Sequence, residues 1–170
     1  MNLKEKIIEF PDFPSKGILF RDISPLLRDP ETISFIVNEF SKRYKSIEID
    51  LLAGIESRGF PLACALALKY NKGMIMIRKQ GKLPGRTEKA SYNIEYGNAT
   101  MEIQTDAVKS GQKVLICDDL LATGGTAKAA ASLVEKIGGR VAGFAFIVEL
   151  TELKGSEVIK NYKYESLVKY

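Results

Sequence analysis

The chain has 170 residues, 45% hydrophobic and 27% charged, with a net charge of +4, a pI near 9.0 and no histidine. This is the make-up of a single soluble globular domain, with no apolar run near the ~20 residues of a membrane span. Without an imidazole, Ser-His-Asp and Cys-His mechanisms are excluded, and proton transfer falls to Glu, Asp, Tyr or Lys. The segment from Met1 to Lys6 has no apolar h-region, so no secretory signal is visible and a cytoplasmic location is expected. Asp29-Pro30 reads as a helix start, with Ile33, Ile36, Val37, Phe40 and Tyr44 following on one face. Ile49 to Ile55 reads as a buried strand, Gly59 to Tyr70 as an Ala- and Leu-rich helix, and Met74 to Ile77 as a second strand. The cysteines, Cys64 and Cys117, sit in apolar sequence, as reduced core thiols do, and offer no metal-ligand pattern.

From Arg78 to Gly111 the alternation breaks into a long polar insertion. Its first part, Lys79 to Lys89, carries Lys79, Lys82, Arg86 and Lys89 with Gly81, Pro84 and Gly85. Its second part, Tyr92 to Ile103, alternates weakly about Gly97-Asn98, like a short hairpin. From composition alone this is a solvated basic loop as readily as an active-site lid. Val114 to Cys117 is a further strand, and Thr126 to Ile137 a helix with Ala130, Leu133, Val134 and Ile137 inward, closed by Gly138-Gly139. Val141 to Leu150 is the last strand of the reading. Phe10 and Phe13 read as core residues. Helices alternating with apolar strands predict an α/β fold with a parallel sheet, in one domain without repeat or linker.

The run Val114 to Thr126 carries the most chemistry. A buried strand leads into Asp118 and Asp119, and the turn Ala122-Thr123-Gly124-Gly125-Thr126 opens a helix. Glycines at a helix N-terminus let backbone N–H groups approach a phosphate, and the helix dipole favours the anion. Two carboxylates beside a phosphate repel it, unless the ligand also carries hydroxyls for them to accept from. The ligand implied is a ribose phosphate. A Walker loop needs Lys where Gly125 stands, and a dinucleotide fingerprint needs spaced glycines, whereas Gly124 and Gly125 are adjacent. Glu56-Ser57-Arg58-Gly59 repeats the strand-to-helix geometry. Alone, Arg58 reads as a surface residue; beside the first loop, its guanidinium suits phosphate oxygens.

With these residues in view, the chain resembles the type I phosphoribosyltransferases, and DDLLATGGT at Asp118 to Thr126 has the wording of the adenine phosphoribosyltransferases. Gly17 to Pro25 (GILFRDISP), Ala53 to Phe60 (AGIESRGF), Arg78 to Gly85 (RKQGKLPG) and Ala90 to Gly97 (ASYNIEYG) are similar to that family and in its order. The resemblance covers nearly the whole chain, roughly from Phe10 onward. It implies an open, mainly parallel twisted sheet flanked by helices, with a small N-terminal hood over residues 1–30 and a flexible flap hairpin over 78–105.

The resemblance also implies roles. The 5′-phosphate of phosphoribosyl pyrophosphate falls to Ala122, Thr123, Gly124, Gly125 and Thr126, the ribose hydroxyls to Asp118 and Asp119, and the pyrophosphate to Ser57 and Arg58. Lys79 and Lys82 on the flap steady the leaving group, Glu95 exchanges the purine proton, and Tyr96 sits by the ribose. Phe20 stacks on the purine, and backbone groups from Leu19 to Arg21 read the Watson–Crick edge of adenine. Mg²⁺ arrives with the donor, with no direct protein ligand expected. The implied activity is purine salvage: adenine and phosphoribosyl pyrophosphate giving AMP and pyrophosphate, in a homodimer without nucleic-acid or membrane partners. Two alternatives stand: a 6-oxopurine or xanthine phosphoribosyltransferase, and a non-catalytic regulator that senses phosphoribosyl pyrophosphate. Lys79, Lys82 and Glu95, and the lack of an added nucleic-acid module before the first strand–helix unit, favour catalysis.

Overall fold

The structure is a computed structural model that describes residues 1–94 and 97–170. In chain order it comprises β1 (Ile8–Pro11), β2 (Leu19–Asp22), α1 (Ser24–Leu27), α2 (Pro30–Arg43), β3 (Leu51–Ile55), α3 (Gly59–Tyr70), β4 (Gly73–Lys79), β5 (Thr87–Ile94), β6 (Gly97–Gln104), β7 (Lys113–Leu121), α4 (Gly125–Lys136), β8 (Arg140–Glu149), α5 (Gly155–Val158) and β9 (Tyr164–Lys169). No described helix is long and apolar enough to cross a membrane.

Seven strands form one sheet in the order β5-β6-β4-β3-β7-β8-β9, with β4, β3, β7, β8 and β9 mutually parallel and the β5–β6 hairpin antiparallel at one edge. The parallel strands read as continuous apolar runs because both faces are covered. On one face Leu52, Leu115, Cys117, Ala145 and Ile147 pack with Phe40 of α2 and Leu62 and Leu66 of α3. On the other, Ala53, Ile116, Phe144 and Phe146 pack with Ala130, Leu133 and Val134 of α4. Asp29 caps α2 as expected, accepting from Glu31 N at 3.1 Å.

The strand order locates the site. From β3 the chain steps to β4 on one side, then returns to place β7 on the other. Loops leaving the C-terminal ends of β3 and β7 therefore diverge and leave a crevice, the usual place for a ligand in an open α/β sheet. The two loops are Glu56–Arg58 and Ala122–Gly124.

Several expectations change. β7 does not end at Cys117 but continues through Asp118 and Asp119, because pairing with β8 runs on to Leu121↔Glu149. Phe10 and Phe13 are exposed rather than in the core; Phe13 packs edge-to-face on Phe20 with ring centroids 5.1 Å apart. Cys64 is exposed on α3, while Cys117 is buried. The basic segment Lys79–Lys89 is a turn from Gln80 to Arg86 that joins the end of β4 to the start of β5. The β1–β2 hairpin and the edge strand β9 were not read from the sequence at all.

Candidate active site

The first residue of α3 fixes the spacing of the crevice. A Cβ on Gly59 would lie 2.4 Å from Cys117 O and 3.1 Å from Asp118 Cα, so only glycine lets α3 rest on β7 here. This contact sets Arg58 beside the acidic pair: Arg58 Nε lies 3.0 Å from Asp119 Oδ2. That oxygen is buried and has no aligned hydrogen bond among the described residues, so the pairing is a charge contact. The Arg58 guanidinium also stands 4.7 Å from the centre of the Phe20 ring, a cation–π approach that brings the N-terminal hairpin to the crevice.

A cavity of about 250 Å³ fills the crevice, and its walls include Ser57, Arg58, Lys79, Asp118, Asp119, Ala122 and Thr126. A larger groove of about 910 Å³ adjoins it, sharing Tyr92, Ala122 and Thr126 and adding Thr123 and Gly125. Most of the residues expected to act together are thus gathered. Lys82 stands apart, exposed on the turn after β4, where its carbonyl accepts from Arg78. Leu19, Phe20 and Arg21 form β2, with Phe20 directed at Arg58. Glu95 and Tyr96 lie outside the described residues.

The turn from Ala122 to Thr126 has its own support. Gly124 has φ +83°, and a Cβ there would lie 2.6 Å from Gly155 O and 2.8 Å from Val158 Cβ. Gly155 itself meets Ala122 O at 2.2 Å from an added Cβ. The turn is therefore moulded against the start of α5 by two glycines that distance in sequence hides. Gly125 is different: an added Cβ would make ordinary contacts, the nearest with Asn93 O at 3.5 Å.

Two carboxylates that sequence reasoning missed hold the end of β4 and the turn that follows it. Glu56 accepts from Arg78 Nε at 3.2 Å, Arg78 Nη2 at 3.0 Å and Lys79 N at 2.9 Å. The Arg78 bonds above all hold its carboxyl below the ordinary value. Glu102 accepts from Gly81 N and Leu83 N, both at 3.0 Å, and from Thr87 Oγ1 at 3.2 Å. Burial alone would raise Glu102, but the Leu83 N–H, the Thr87 hydroxyl and the Gly81 N–H outweigh it and keep the carboxyl low. The signal available was Glu56 opening one strand-end motif and Arg78 opening another; only strand order makes them neighbours. Tyr92, which lines both the cavity and the groove, was likewise given no role.

Asp118 is the electrostatically unusual group. Its side chain accepts from Asp119 N at 2.9 Å. Burial first, and the charge of Asp119 second, push its carboxyl well above the ordinary range. A ligand hydroxyl donates to the ionised form, so it draws the pKa back down and releases a proton. Affinity for a diol-bearing ligand is therefore expected to rise as pH climbs through the raised pKa, and to level off above it. Calorimetry in two buffers of different ionisation enthalpy reads that proton release. Asp118→Asn should remove this part of the pH dependence, leaving only that of the ligand phosphate.

A strand-edge crevice between a glycine-bearing turn at a helix N-terminus, a second loop carrying Arg58 and a buried acid pair is an arrangement suited to a sugar phosphate in an α/β domain. A family model, the phosphoribosyl transferase domain, matches residues 28–169. The adenine phosphoribosyltransferase of Nitrosopumilus maritimus is 65% identical over 170 residues, with both chains covered fully. The crystal structure of adenine phosphoribosyltransferase from Thermoanaerobacter pseudethanolicus superposes with a TM-score of 0.96 at 44% identity, covering 99% of this chain and 98% of that one. The Saccharomyces cerevisiae enzyme, complexed with an imino-altritol bisphosphate and adenine, superposes with a TM-score of 0.91 at 40% identity, covering 97% and 96%. The chain belongs to the phosphoribosyltransferase family.

Proposed function

We propose that this chain transfers the 5-phosphoribosyl group from phosphoribosyl pyrophosphate to adenine, giving AMP and pyrophosphate in purine salvage. The observation that carries the reading is the cavity lined by Asp118, Asp119, Ala122 and Thr126 together with Ser57 and Arg58, with Thr123 and Gly125 in the adjoining groove, which suits a ligand with phosphate, diol and pyrophosphate in sequence. The choice of adenine follows the names of close relatives and the adenine held by the yeast enzyme.

The residues divide the work. The backbone of Ala122, Thr123, Gly124, Gly125 and Thr126 holds the 5′-phosphate at the start of α4. Asp118 and Asp119 accept from the ribose hydroxyls. Arg58, now against Asp119 and Phe20, exchanges Asp119 for pyrophosphate oxygens, with Ser57 beside it. Residues 1–30 serve as a hood: Phe20 covers the purine face, and the backbone from Leu19 to Arg21 reads its edge. Residues 78–105 serve as the flap, bringing Lys79 and Lys82 to the leaving group, Glu95 to the purine proton and Tyr96 to the ribose. Closure excludes the water that would otherwise hydrolyse the donor. Mg²⁺ would arrive on the donor's own oxygens, because it keeps waters and substrate phosphates in preference to an all-protein cage. Mg²⁺ would neutralise charge growing on pyrophosphate as the C1 bond breaks.

The chain acts as a cytoplasmic homodimer without nucleic-acid or membrane partners. What supports the dimer is α3, whose outer face carries exposed Pro61, Cys64 and Leu68, the last 79% exposed, on a helix that is also apolar inside. Light scattering is expected to give twice the chain mass of 18.8 kDa, and Leu68→Glu to give the chain mass itself.

The test of function is incubation with each purine base, phosphoribosyl pyrophosphate and Mg²⁺, followed by nucleotide analysis. A site that accepts from an amino group leaves its acceptor unpaired against a carbonyl, a mismatch worth ~10⁴-fold. Adenine is expected to react and hypoxanthine and guanine to fail by about that factor. Comparable turnover of hypoxanthine would assign a 6-oxopurine enzyme, and donor binding without any nucleotide would assign a sensor.

A further inference from the structure

The hood strand is held from behind by the residue that follows β9. Side chains alternate along a strand, so Phe20 and Arg21 of β2 point in opposite directions. Phe20 faces Arg58 and the crevice; Arg21 turns away, its guanidinium 4.0 Å from the centre of the Tyr170 ring. Lys4 Nζ lies 4.1 Å from the same ring and donates to Lys169 O at 3.2 Å. The Arg21 side chain is only 16% exposed, and its Nε sits 3.3 Å from Glu9 Oε1 on the paired strand β1 without an aligned hydrogen bond. Tyr170 is thus the principal anchor for a nearly enclosed guanidinium.

Tyr170 is itself rigidly placed. Its N–H donates to Glu149 O at 3.0 Å, and its carbonyl accepts from Thr151 N at 2.9 Å and Thr151 Oγ1 at 2.5 Å. Glu149 ends β8 and is buried, accepting from Ser166 Oγ at 2.6 Å. A continuous path of contacts therefore runs from the central sheet through Tyr170 to Arg21, one residue from Phe20. By contrast, the β1–β2 hairpin is a two-stranded sheet of its own with no strand pairing to the central sheet among the described residues. Nothing in backbone pairing fixes its height above the crevice, so side-chain anchors must.

We infer that Tyr170 is a positioning residue for the base site: its ring, gripped by Arg21 and Lys4, fixes the hood strand over the crevice. The inference rests on the hood reading of residues 1–30. Two cations on one partly desolvated ring predict a 5- to 30-fold effect on hood placement when the ring is removed. Tyr170→Ala is therefore expected to raise KM for adenine by about that range, with KM for phosphoribosyl pyrophosphate within about twofold, since the donor loops lie on the sheet. Tyr170→Phe keeps the ring face and should retain wild-type constants. Arg21→Met should reproduce the adenine-side defect in part, since Lys4 keeps its contact with the ring, and the double variant Arg21→Met/Tyr170→Ala should be no worse than Tyr170→Ala alone, as for two ends of one contact.

Steady-state kinetics against each substrate, with a thermal melt of each variant, decides the matter. An unchanged adenine KM in Tyr170→Ala overturns the inference, as does an equal rise in both KM values with a lowered melting temperature, which marks a general structural role. Additive effects of Arg21→Met and Tyr170→Ala also overturn it. Failure of the wild-type chain to make AMP is a separate result, and tells against the adenine reading rather than against the clamp.

Discussion

Glu95→Gln is expected to lower the single-turnover rate by about 10²–10⁴-fold, the usual worth of a general acid or base, and to leave donor affinity unchanged. The chain has no histidine, so the proton leaving the purine ring needs a carboxylate or a phenol. The structure narrows the choice. Glu56 is committed to Arg78 and the Lys79 N–H. Glu102 is committed to the turn at Gly81, Leu83 and Thr87. Asp118 and Asp119 are assigned to the sugar. Glu95 stands in the sequence just beyond Tyr92 and Asn93, which line the groove beside the phosphate turn. Gln keeps the size and loses the proton capacity. Tyr96→Phe should cost less, since the ring still covers the ribose. Rapid-quench kinetics beside calorimetric donor titration checks both. A wild-type rate in Glu95→Gln would send the proton through water or pyrophosphate and leave the carboxylate a hairpin surface residue.

The second large effect separates two adjacent glycines. Gly124→Val should abolish measurable donor binding, a loss of at least about 100-fold, and lower thermal stability as well. A left-handed residue with a Cβ costs roughly 1–2 kcal/mol, before any clash is counted. Here the clash is with the backbone of Gly155, at 2.6 Å, which cannot swing aside. Gly125→Ala should leave the melting temperature alone, because its added Cβ makes only ordinary contact with Asn93 O at 3.5 Å. That methyl stands where the phosphate is expected between turn and hairpin, so donor affinity should still fall, by about tenfold. Thermal melts and calorimetry on the pair tell the two apart. Full donor affinity in Gly125→Ala would move the 5′-phosphate away from this turn.

What could be read from the sequence follows physical rules. Helices α2, α3 and α4 declared themselves because each buries an apolar face, and β3, β7 and β8 because both their faces are covered. The β1–β2 hairpin left no such trace: β1 is exposed throughout, so no alternation marks it. Asp118 and Asp119 read as loop residues because acids are poor strand formers, yet pairing with β8 keeps them in β7. The turn proposed to hold the ribose phosphate was legible because its parts are consecutive in the chain. The supports of the site, Gly59 of α3 against Cys117 of β7 and Gly155 against the turn at Ala122 and Gly124, join segments far apart in sequence and become visible only in the fold.

The β5–β6 hairpin has a consequence for the entropy of closure. Its two strands pair from Thr87↔Gln104 to Ile94↔Gly97, whereas pairing with β4 is confined to Arg78↔Glu102 and Lys79↔Met101. Outside that root it rests on α4, where Lys136 Nζ donates to Lys89 O at 3.1 Å. Ordering a slack loop over a substrate costs about 1–2 kcal/mol per residue in backbone freedom. In the flap role proposed above, the strands paired over residues 87–94 and 97–104 would already have given up that freedom during folding. Closure over the donor would then consume little of its binding energy in ordering those strands.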